Sequence, residues 1–333
     1  MRRVSIADIV QFTGLSRATV DRVINGRGRV HPRTREVVED ALKTLRAPHP
    51  APAAPGVAAD LVLRVGRGMT SQIKSAWDKA RVSGTFHDMY QAEEAAVMET
   101  VAELCADVSR PLIITAKNTE RLCDLLREAR ANGKRIITLV SDLTADARDC
   151  FVGIDNRGAG QTAAFLIGRT LGDRPTSAAV VVGDIAFRCH EDREIGFRTG
   201  LRAHFPRVVL SGEARGEDNP ATTREAVLRL LREQPALGAI YNVGAGNMGL
   251  VEAIREAGRE QDMLVVCHEA NRITGPLLRD GRIDFAIAAD PALQLQDALR
   301  VAAAGKQESL RDSHLQDFAV FTRFNLPAYS HIG

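Results

Sequence analysis

From Asp60 onward, short apolar segments alternate with segments whose apolar residues recur at helical spacing. Continuous apolar runs are typical of strands buried on both faces of a parallel sheet, with helices as crossovers. The predicted strands are 60–65, 111–115, 135–140, 178–182, 207–210, 237–241, 263–267 and 283–287. The predicted helices lie around 91–105, 119–131, 158–171, 191–203, 221–233, 248–257 and 292–303. Because this region is too long for one such core, we expect an α/β body made of two doubly wound lobes.

A proline-rich stretch, RAPHPAPAAPGVAAD, separates this region from the start of the chain. Proline fixes the backbone φ angle and lacks an N–H, so four prolines in fifteen residues oppose a regular helix. We expect an extended linker there. The sequence thus predicts a head (1–46), a linker (47–59) and a body (60–333).

The positive charge of the chain is concentrated in the head. The head carries ten Lys and Arg against five Asp and Glu, a net charge of +5, whereas the whole chain sums to +2. A basic head on a near-neutral body indicates an anionic partner for the head alone. A basic surface without a partner would have the same composition, so charge alone does not decide this.

The N-terminal sequence MRRVSIADIV has neither an apolar signal core nor a small-residue cleavage site. No apolar run approaches the roughly 18 residues of a membrane span. We therefore expect no secretory signal, no membrane partner and a cytoplasmic location. Five scattered cysteines without a C-x-x-C pair favour reduced thiols over a disulfide framework or a zinc site.

Three short helices are predicted in the head. Ser5 can cap the first, and Ser16 can cap a second that runs to about Ile24 before Asn25-Gly26 ends it. Pro32 suits the first turn of the third. Two short helices around a tight turn, the second rich in polar and basic residues, are typical of a helix-turn-helix.

The second head helix has the residue types that read double-stranded DNA. Arg17 and Ala18 fall on its first turn, where side chains reach base edges, and Arg22 follows about one turn later. An arginine can bind guanine with two hydrogen bonds. Thr19, Asn25 and Thr34 suit phosphate contacts, which position a protein without reading sequence. A small helical bundle with a solvated basic face is the alternative.

The segment SIADIVQFTGLSRATVDRVINGRGRVHPRTREVVEDALKTL resembles the headpiece of the lactose/galactose repressor (LacI/GalR) family. The likeness lies in the steps G-L-S, A-T-V-x-R-V-x-N-G and T-R-x-x-V, which occur in this order. It implies that Arg17, Ala18 and Arg22 read bases. The implied DNA interface comprises Ser5, Ser16, Arg17, Ala18, Thr19, Arg22, Asn25 and Thr34.

Two features depart from that family. Asp21 stands where the family usually has a serine near phosphate, and a carboxylate there repels DNA unless it pairs with Arg17 or Arg22. The family's hinge helix, which carries a minor-groove leucine, is replaced by the proline-rich segment 46–58. We therefore do not expect this chain to bend its operator by leucine insertion.

The body resembles the two-lobed sugar-binding domain shared by these repressors and periplasmic ribose-binding proteins. The likeness is carried by VGIDNRGAGQTAAFLIGRTLG, REIGFRTGL and GAIYNVGAGNMGLVEAIREAG. It implies a ligand between the lobes, at the carboxyl ends of the strands, and a homodimer. Lobe 1 would comprise about 60–155 and 292–318, and lobe 2 about 156–291 and 319–330.

The resemblance also nominates ligand-binding residues. Glu269 follows a strand where the family places an acidic residue that accepts sugar hydroxyls, and Glu191 falls near a position where many members carry a ligand-binding arginine. If both carboxylates line the cleft, the effector is a polyol, cyclitol or amino sugar rather than a sugar phosphate. Asn and Asp also favour turns and helix caps. The candidates are Met69, Asp142, His190, Glu191, Asn242, Asn247, Glu269 and Asp290.

A second interpretation comes from the motif G-x-G-x-x-G, formed by Gly244, Gly246 and Gly249 between a strand and a helix. With Glu269 twenty residues further on, it matches the dinucleotide fingerprint. The alternative function is therefore an NAD(P)-binding oxidoreductase or a nucleotide-sensing regulator. Since the motif falls late in the chain and no catalytic partners lie nearby in sequence, we expect no cofactor and no enzyme.

The triplet Cys-His-Glu occurs twice, at 189–191 and 267–269, and its three side chains can all bind zinc. Adjacent residues of a strand point to opposite sides, so we expect no metal site. A solute-binding protein that feeds a transporter would not need the head. The sequence therefore predicts a ligand-responsive, sequence-specific transcription regulator, a repressor in the first interpretation, that controls uptake or catabolism of a sugar or related compound.

Overall fold

The computed structural model describes residues 6–13, 15–25, 30–31, 34–35, 37–39, 57–172, 176–304 and 312–327. The chain divides into two compact units, Met1–Pro52 and Ala53–Gly333. The predictions for Ser5, for most of the third head helix and for most of the linker lie outside the described residues.

The head contains helices α1 (Ile6–Thr13) and α2 (Arg17–Ile24). The Oγ of Ser16 accepts a hydrogen bond from the Thr19 amide at 3.2 Å, so Ser16 caps α2 as its sequence position predicts. Residues 34–35 and 37–39 are helical. The buried core of the head consists of Ile9, Val20, Val23 and Val38.

The body contains two six-stranded sheets. In chain order its strands are β1 (Asp60–Leu63), β2 (Phe86–Asp88), β3 (Leu112–Thr115), β4 (Ile136–Leu139), β5 (Cys150–Ile154), β6 (Thr176–Val182), β7 (Val208–Arg215), β8 (Leu237–Asn242), β9 (Leu264–His268), β10 (Phe285–Ala288), β11 (Ser313–Gln316) and β12 (Ala319–Phe321). The order in lobe 1 is β11-β5-β4-β3-β1-β2, and in lobe 2 it is β12-β10-β9-β8-β6-β7. Neighbouring strands are parallel except for β10 and β12. The predicted fold class, a helical head and a body of two doubly wound lobes, is confirmed.

The helices of the body cover these sheets. They are α3 (Arg67–Ala80), α4 (Glu94–Ala106), α5 (Glu120–Ala131), α6 (Asn156–Leu171), α7 (Arg188–His204), α8 (Pro220–Glu233), α9 (Asn247–Glu256), α10 (Thr274–Arg279) and α11 (Pro291–Ala303). None of the helices among the described residues is long and apolar enough to cross a membrane.

The chain passes between the lobes three times. It leaves lobe 1 after β5, returns after β10 and leaves again between β11 and β12. Helix α11 belongs to lobe 1, because Leu295, Ala298 and Leu299 pack in one buried cluster with β1 residues such as Leu61. A chain that crosses repeatedly at one edge leaves a cleft between the lobes, onto which the carboxyl ends of their parallel strands open.

Several elements were not predicted from the sequence. Strands β2, β11 and β12 are three or four residues long, and β2 (FHD) and β11 (SHLQ) lack an apolar run. Helix α3 buries a stripe of only three large side chains, Met69, Ile73 and Trp77, among polar residues. Strand β5, which is fully buried, and the short helix α10 were also missed.

Candidate ligand-binding cleft between the lobes

The cleft between the lobes is lined by side chains that follow strand ends in both sheets. Two adjoining cavities share Val140, Arg193 and Glu269 in their walls. The charged and polar lining residues are Arg64, Gln72, Thr115, Ser141, His190, Arg193, Asp218, His268, Glu269 and Gln294. The cleft therefore has the form of a small-molecule site, with apolar walls and a few convergent polar groups.

Arg193 is the central cation of this cleft. It lies on α7 and is only 6% exposed. Its Nε donates to Asn156 Oδ1 at 2.9 Å, and its Nη1 donates to the carbonyl oxygen of Val243 at 2.8 Å. These two bonds fix the plane of the guanidinium, which is pre-organised for hydrogen bonding in a way that a lysine is not.

Glu269 supplies a carboxylate to both cavities. It follows β9, and its Oε2 accepts a hydrogen bond from Asn271 Nδ2 at 2.7 Å. Burial raises the pKa of Glu269 to about 7, although the charge of Arg193 and the Asn271 bond oppose this rise. A carboxyl group with this pKa can accept a ligand hydroxyl when ionised and donate a hydrogen bond when protonated.

A second carboxylate, Asp218, faces His190. The His190 Nδ1 lies 3.7 Å from Asp218 Oδ2, and the same ring nitrogen lies 3.1 Å from the carbonyl oxygen of Asp184. Burial opposes the positive charge of His190, but Asp218 and Cys189 raise its pKa. Asp218 is held in turn by the Ala245 amide, which donates to its Oδ1 at 2.7 Å.

Residues in left-handed backbone conformations cluster at this cleft. Val140, Asp218 and Glu269 line it and have φ angles of 68°, 55° and 69°, and Glu217 has a φ of 51°. Positive φ is costly for non-glycine residues and above all for a β-branched valine. Such outliers cluster at active sites, ligand clamps and switch regions. Both cleft carboxylates are therefore placed by strained backbone.

Replacing Asp218 with asparagine is expected to lower the pKa of His190 by about one unit or more, because an opposite charge beside the imidazole is lost. NMR titration of the ring protons measures this value. Asp192→Asn is the matched control, since Asp192 lies on the same helix but pairs with Arg157 at 2.8 Å. Equal titration of His190 in both variants and the wild type would contradict the assigned pairing.

Three of the eight ligand-binding candidates line the cleft: Met69, His190 and Glu269. Asp142 lines a third cavity, which shares Ile154 and Cys189 with the other two. Its carboxylate accepts bonds there from Arg148 Nε and Nη2 at 2.9 and 2.8 Å. Asp290 caps α11 by accepting from the Ala292 amide at 2.9 Å. For these two aspartates, the structure supports the pairing and capping roles.

The expectation for the two asparagines is corrected. Asn242 and Asn247 are buried, and the Nδ2 of Asn242 donates to Asn247 Oδ1 at 2.8 Å and to the Ala245 carbonyl at 2.9 Å. They satisfy each other and hold the loop that precedes α9, so they are absent from the walls of the cleft.

The expectation for Glu191 is also corrected. This residue is exposed and is absent from the walls of the cleft. Arg193, two residues along α7, takes the place at the cleft instead. The sequence offered a signal for it, because Arg193 opens the segment REIGFRTGL on which the resemblance rests. Asp218, Gln72 and Gln294 were also missed, and Asp218 lies in a turn without any periodic pattern.

The G-x-G-x-x-G loop is explained by packing within lobe 2. A Cβ on Gly244 would lie 2.4 Å from Asp218 Oδ1, and one on Gly249 would lie 1.8 Å from the Pro220 carbonyl oxygen. The Ala245 amide is already bonded to Asp218. Because a carboxylate lies against the loop amide that a pyrophosphate would use, the loop repels a phosphate.

The two Cys-His-Glu triplets do not gather into a metal site. No group of three or more His, Cys, Asp or Glu side chains is placed to hold a metal among the residues that the structure describes. In the second triplet, Cys267 lies in the lobe 2 core, while His268 Nε2 and the Tyr241 hydroxyl share a hydrogen bond of 2.6 Å. Burial lowers the pKa of His268 well below its usual value, so the ring is neutral and is not a cation in this site.

In the head, the side chains predicted to read bases are accessible. Arg17, Ala18 and Arg22 are exposed on α2, as are Ser16 and Asn25, whereas Thr19 and Thr34 are half-buried. Asp21 Oδ1 accepts a hydrogen bond from Asn25 Nδ2 at 2.8 Å. The carboxylate is thus held by a neutral amide, which does not cancel its charge.

A two-lobed body with a polar interlobe cleft, carried on the same chain as a helix-turn-helix head, defines a ligand-binding regulator architecture. Residues 63–307 match the model of the periplasmic binding protein domain, and residues 5–46 match that of bacterial regulatory proteins of the lacI family. The chain belongs to the periplasmic binding protein domain family and carries a lacI-family head, as in LacI/GalR-type regulators.

Several proteins that are similar to this chain in sequence or in structure are described as sugar-binding proteins. A D-ribose/D-allose-binding protein from Pseudomonas aeruginosa is 28% identical over 172 residues, which are 49% of this chain and 51% of that protein. A Burkholderia graminis solute-binding protein in complex with D-arabinose has a TM-score of 0.75 at 20% identity and covers 83% of this chain and 99% of its own. A glucose-galactose binding protein from Geobacillus stearothermophilus has a TM-score of 0.71 at 18% identity, covering 82% and 99%.

Proposed function

We propose that this protein is a sequence-specific, DNA-binding transcription regulator whose operator affinity is set by a small polyhydroxylated effector. The observation that carries the proposal is the presence, in one chain, of a lacI-family head and a cleft that holds buried Arg193 beside half-buried Glu269 and Asp218. The preferred effector is an uncharged sugar, polyol or cyclitol, or an amino sugar.

The chemistry of the cleft supports this class of effector. Arg193 is a hydrogen-bond donor, while Glu269 and Asp218 are acceptors when ionised. Alternating donors and acceptors match a row of hydroxyl groups, each of which both donates and accepts. A phosphorylated ligand would bring its charge against the two carboxylates, which disfavours it.

The head supports regulation rather than solute delivery. A single helix-turn-helix contacts only a half-site, so we expect a homodimer on a two-fold-symmetric operator, acting in the cytoplasm. Closing the lobes around an effector changes the conformation of the body, and the heads are joined to that body through the linker. We propose that the protein represses a gene for uptake or catabolism of the effector.

The proposal is tested by thermal melting of the full chain with D-ribose, D-allose, D-arabinose, D-galactose, myo-inositol and D-glucosamine. D-ribose 5-phosphate and NAD(P) serve as counter-ligands. A ligand at 100 times its Kd stabilises the folded state by about 2.7 kcal/mol, so one compound is expected to raise the Tm by several degrees. The rise should disappear in Glu269→Ala. Tighter binding of NAD(P) or of the sugar phosphate would overturn the assigned effector class.

A further inference from the structure

The side chain of Asn271 has only one orientation compatible with its hydrogen bonds. Its Oδ1 accepts from the backbone amides of Ile273 at 2.8 Å and Thr274 at 3.1 Å. The Nδ2 is therefore the atom that faces Glu269 Oε2, at 2.7 Å. Both ends of the amide are occupied, and Asn271 is only 3% exposed.

Gly68 of lobe 1 lies against this amide of lobe 2. It is buried on the first turn of α3, and a Cβ there would lie 2.2 Å from Asn271 Nδ2. Glycine within a helix costs roughly 0.5–1 kcal/mol relative to alanine, so a buried helical glycine usually has a packing reason. The reason here is the close approach of Asn271.

We propose that Asn271 is a positioning residue that makes the orientation of the Glu269 carboxylate depend on contact between the lobes, with Gly68 as the point of contact. This inference rests on the proposed effector cleft. Gln72, one turn along α3, adds a second contact between the lobes, because its side chain donates to the Ala270 carbonyl at 3.3 Å.

The consequence is that closing the lobes also orients the Glu269 carboxylate that recognises the effector. When the lobes part, Gly68 no longer packs against the Asn271 side chain, and water can reach that side chain. Water then competes with Asn271 for the hydrogen bond to Glu269. When they close, the amide is pressed against the carboxylate, and Glu269 presents its other oxygen to the cleft in a fixed direction. An effector that needs this oxygen binds the closed form selectively.

The test needs no effector, so it remains informative even if the proposed function fails. In the ligand-free full chain, the Glu269 carboxyl is titrated by 13C NMR in the wild type and in Gly68→Ala. Displacing the Asn271 donor is expected to raise the pKa of Glu269 above its value of about 7, by about one unit. Asn271→Ala removes the same donor without adding a charge beside Glu269, so it should raise this pKa as well.

Gly66→Ala is the matched control. Its Cβ would lie 3.0 Å from the Ala245 Cβ, also between the lobes but away from Asn271. It should leave the Glu269 titration unchanged. Equal shifts in Gly66→Ala and Gly68→Ala, or none in Gly68→Ala, would overturn the proposal. If Gly68→Ala does not fold, Asn271→Ala is titrated in its place, and an unchanged Glu269 titration in that variant would also overturn the proposal.

Discussion

Replacing Arg193 with alanine is expected to abolish effector binding and to lower the free energy of unfolding of the body by about 2 kcal/mol or more, because each buried acceptor left without a donor costs about 1–3 kcal/mol. Two acceptors, Asn156 Oδ1 and the Val243 carbonyl, lose their donor inside the protein. Since Arg193 also opposes the rise in the pKa of Glu269, that pKa should climb further above about 7.

Three measurements check this expectation: urea unfolding for stability, calorimetry for the effector identified by melting, and the Glu269 carboxyl titration. Arg157→Ala is the matched control, because Arg157 sits at the neighbouring interlobe crossing with a 62% exposed side chain and a single ion pair to Asp192. Exposed pairs contribute about 1 kcal/mol or less. Arg193→Lys should recover little, since an ammonium cannot reproduce two fixed N–H directions. Wild-type effector affinity in Arg193→Ala would contradict our assignment of the cleft.

Sequence patterns predicted the interior strands of the two sheets, except β5, because each of those strands is itself a continuous apolar run. Segments such as LIIT and IITL are continuous apolar runs that bury on both faces wherever they fold. The edge strand β11 (SHLQ) is different, because its place is set by pairing with β5 about 160 residues earlier in the chain. No local pattern encodes a partner at that distance.

Only part of the cleft was predictable from the sequence. Glu269 follows a predicted strand, β9, and was found. Asp218 follows a turn after β7, and its position depends on two consecutive left-handed residues that no propensity scale anticipates for glutamate and aspartate. Glu191 shows a further limit. Even when a helix is predicted at the correct position, an error of one or two residues changes which side chains face the cleft. Arg193 faces the cleft, and Glu191 faces solvent.

Arg17→Ala is expected to weaken binding to the preferred DNA site by about 1–3 kcal/mol, or roughly 5- to 150-fold, and to relax the base preference at one position in each half-site. Arg17 is exposed on the first turn of α2, and we propose that it contacts base edges. Selection of sites from random duplex DNA, run in parallel on the wild type and the variant, measures both effects. The wild type should yield a two-fold-symmetric motif.

Asp21→Asn is the companion variant, and it should act in the opposite direction. Its amide oxygen can still accept the hydrogen bond from Asn25 that Asp21 accepts, so the helix end is preserved while the negative charge is lost. We expect tighter binding to all sequences without a change in the selected motif, because phosphate repulsion carries no base information. A motif unchanged by Arg17→Ala would show that α2 does not read bases through this residue. A wild type that selects no motif at low salt would refute the operator-binding role of the head, whatever the body binds.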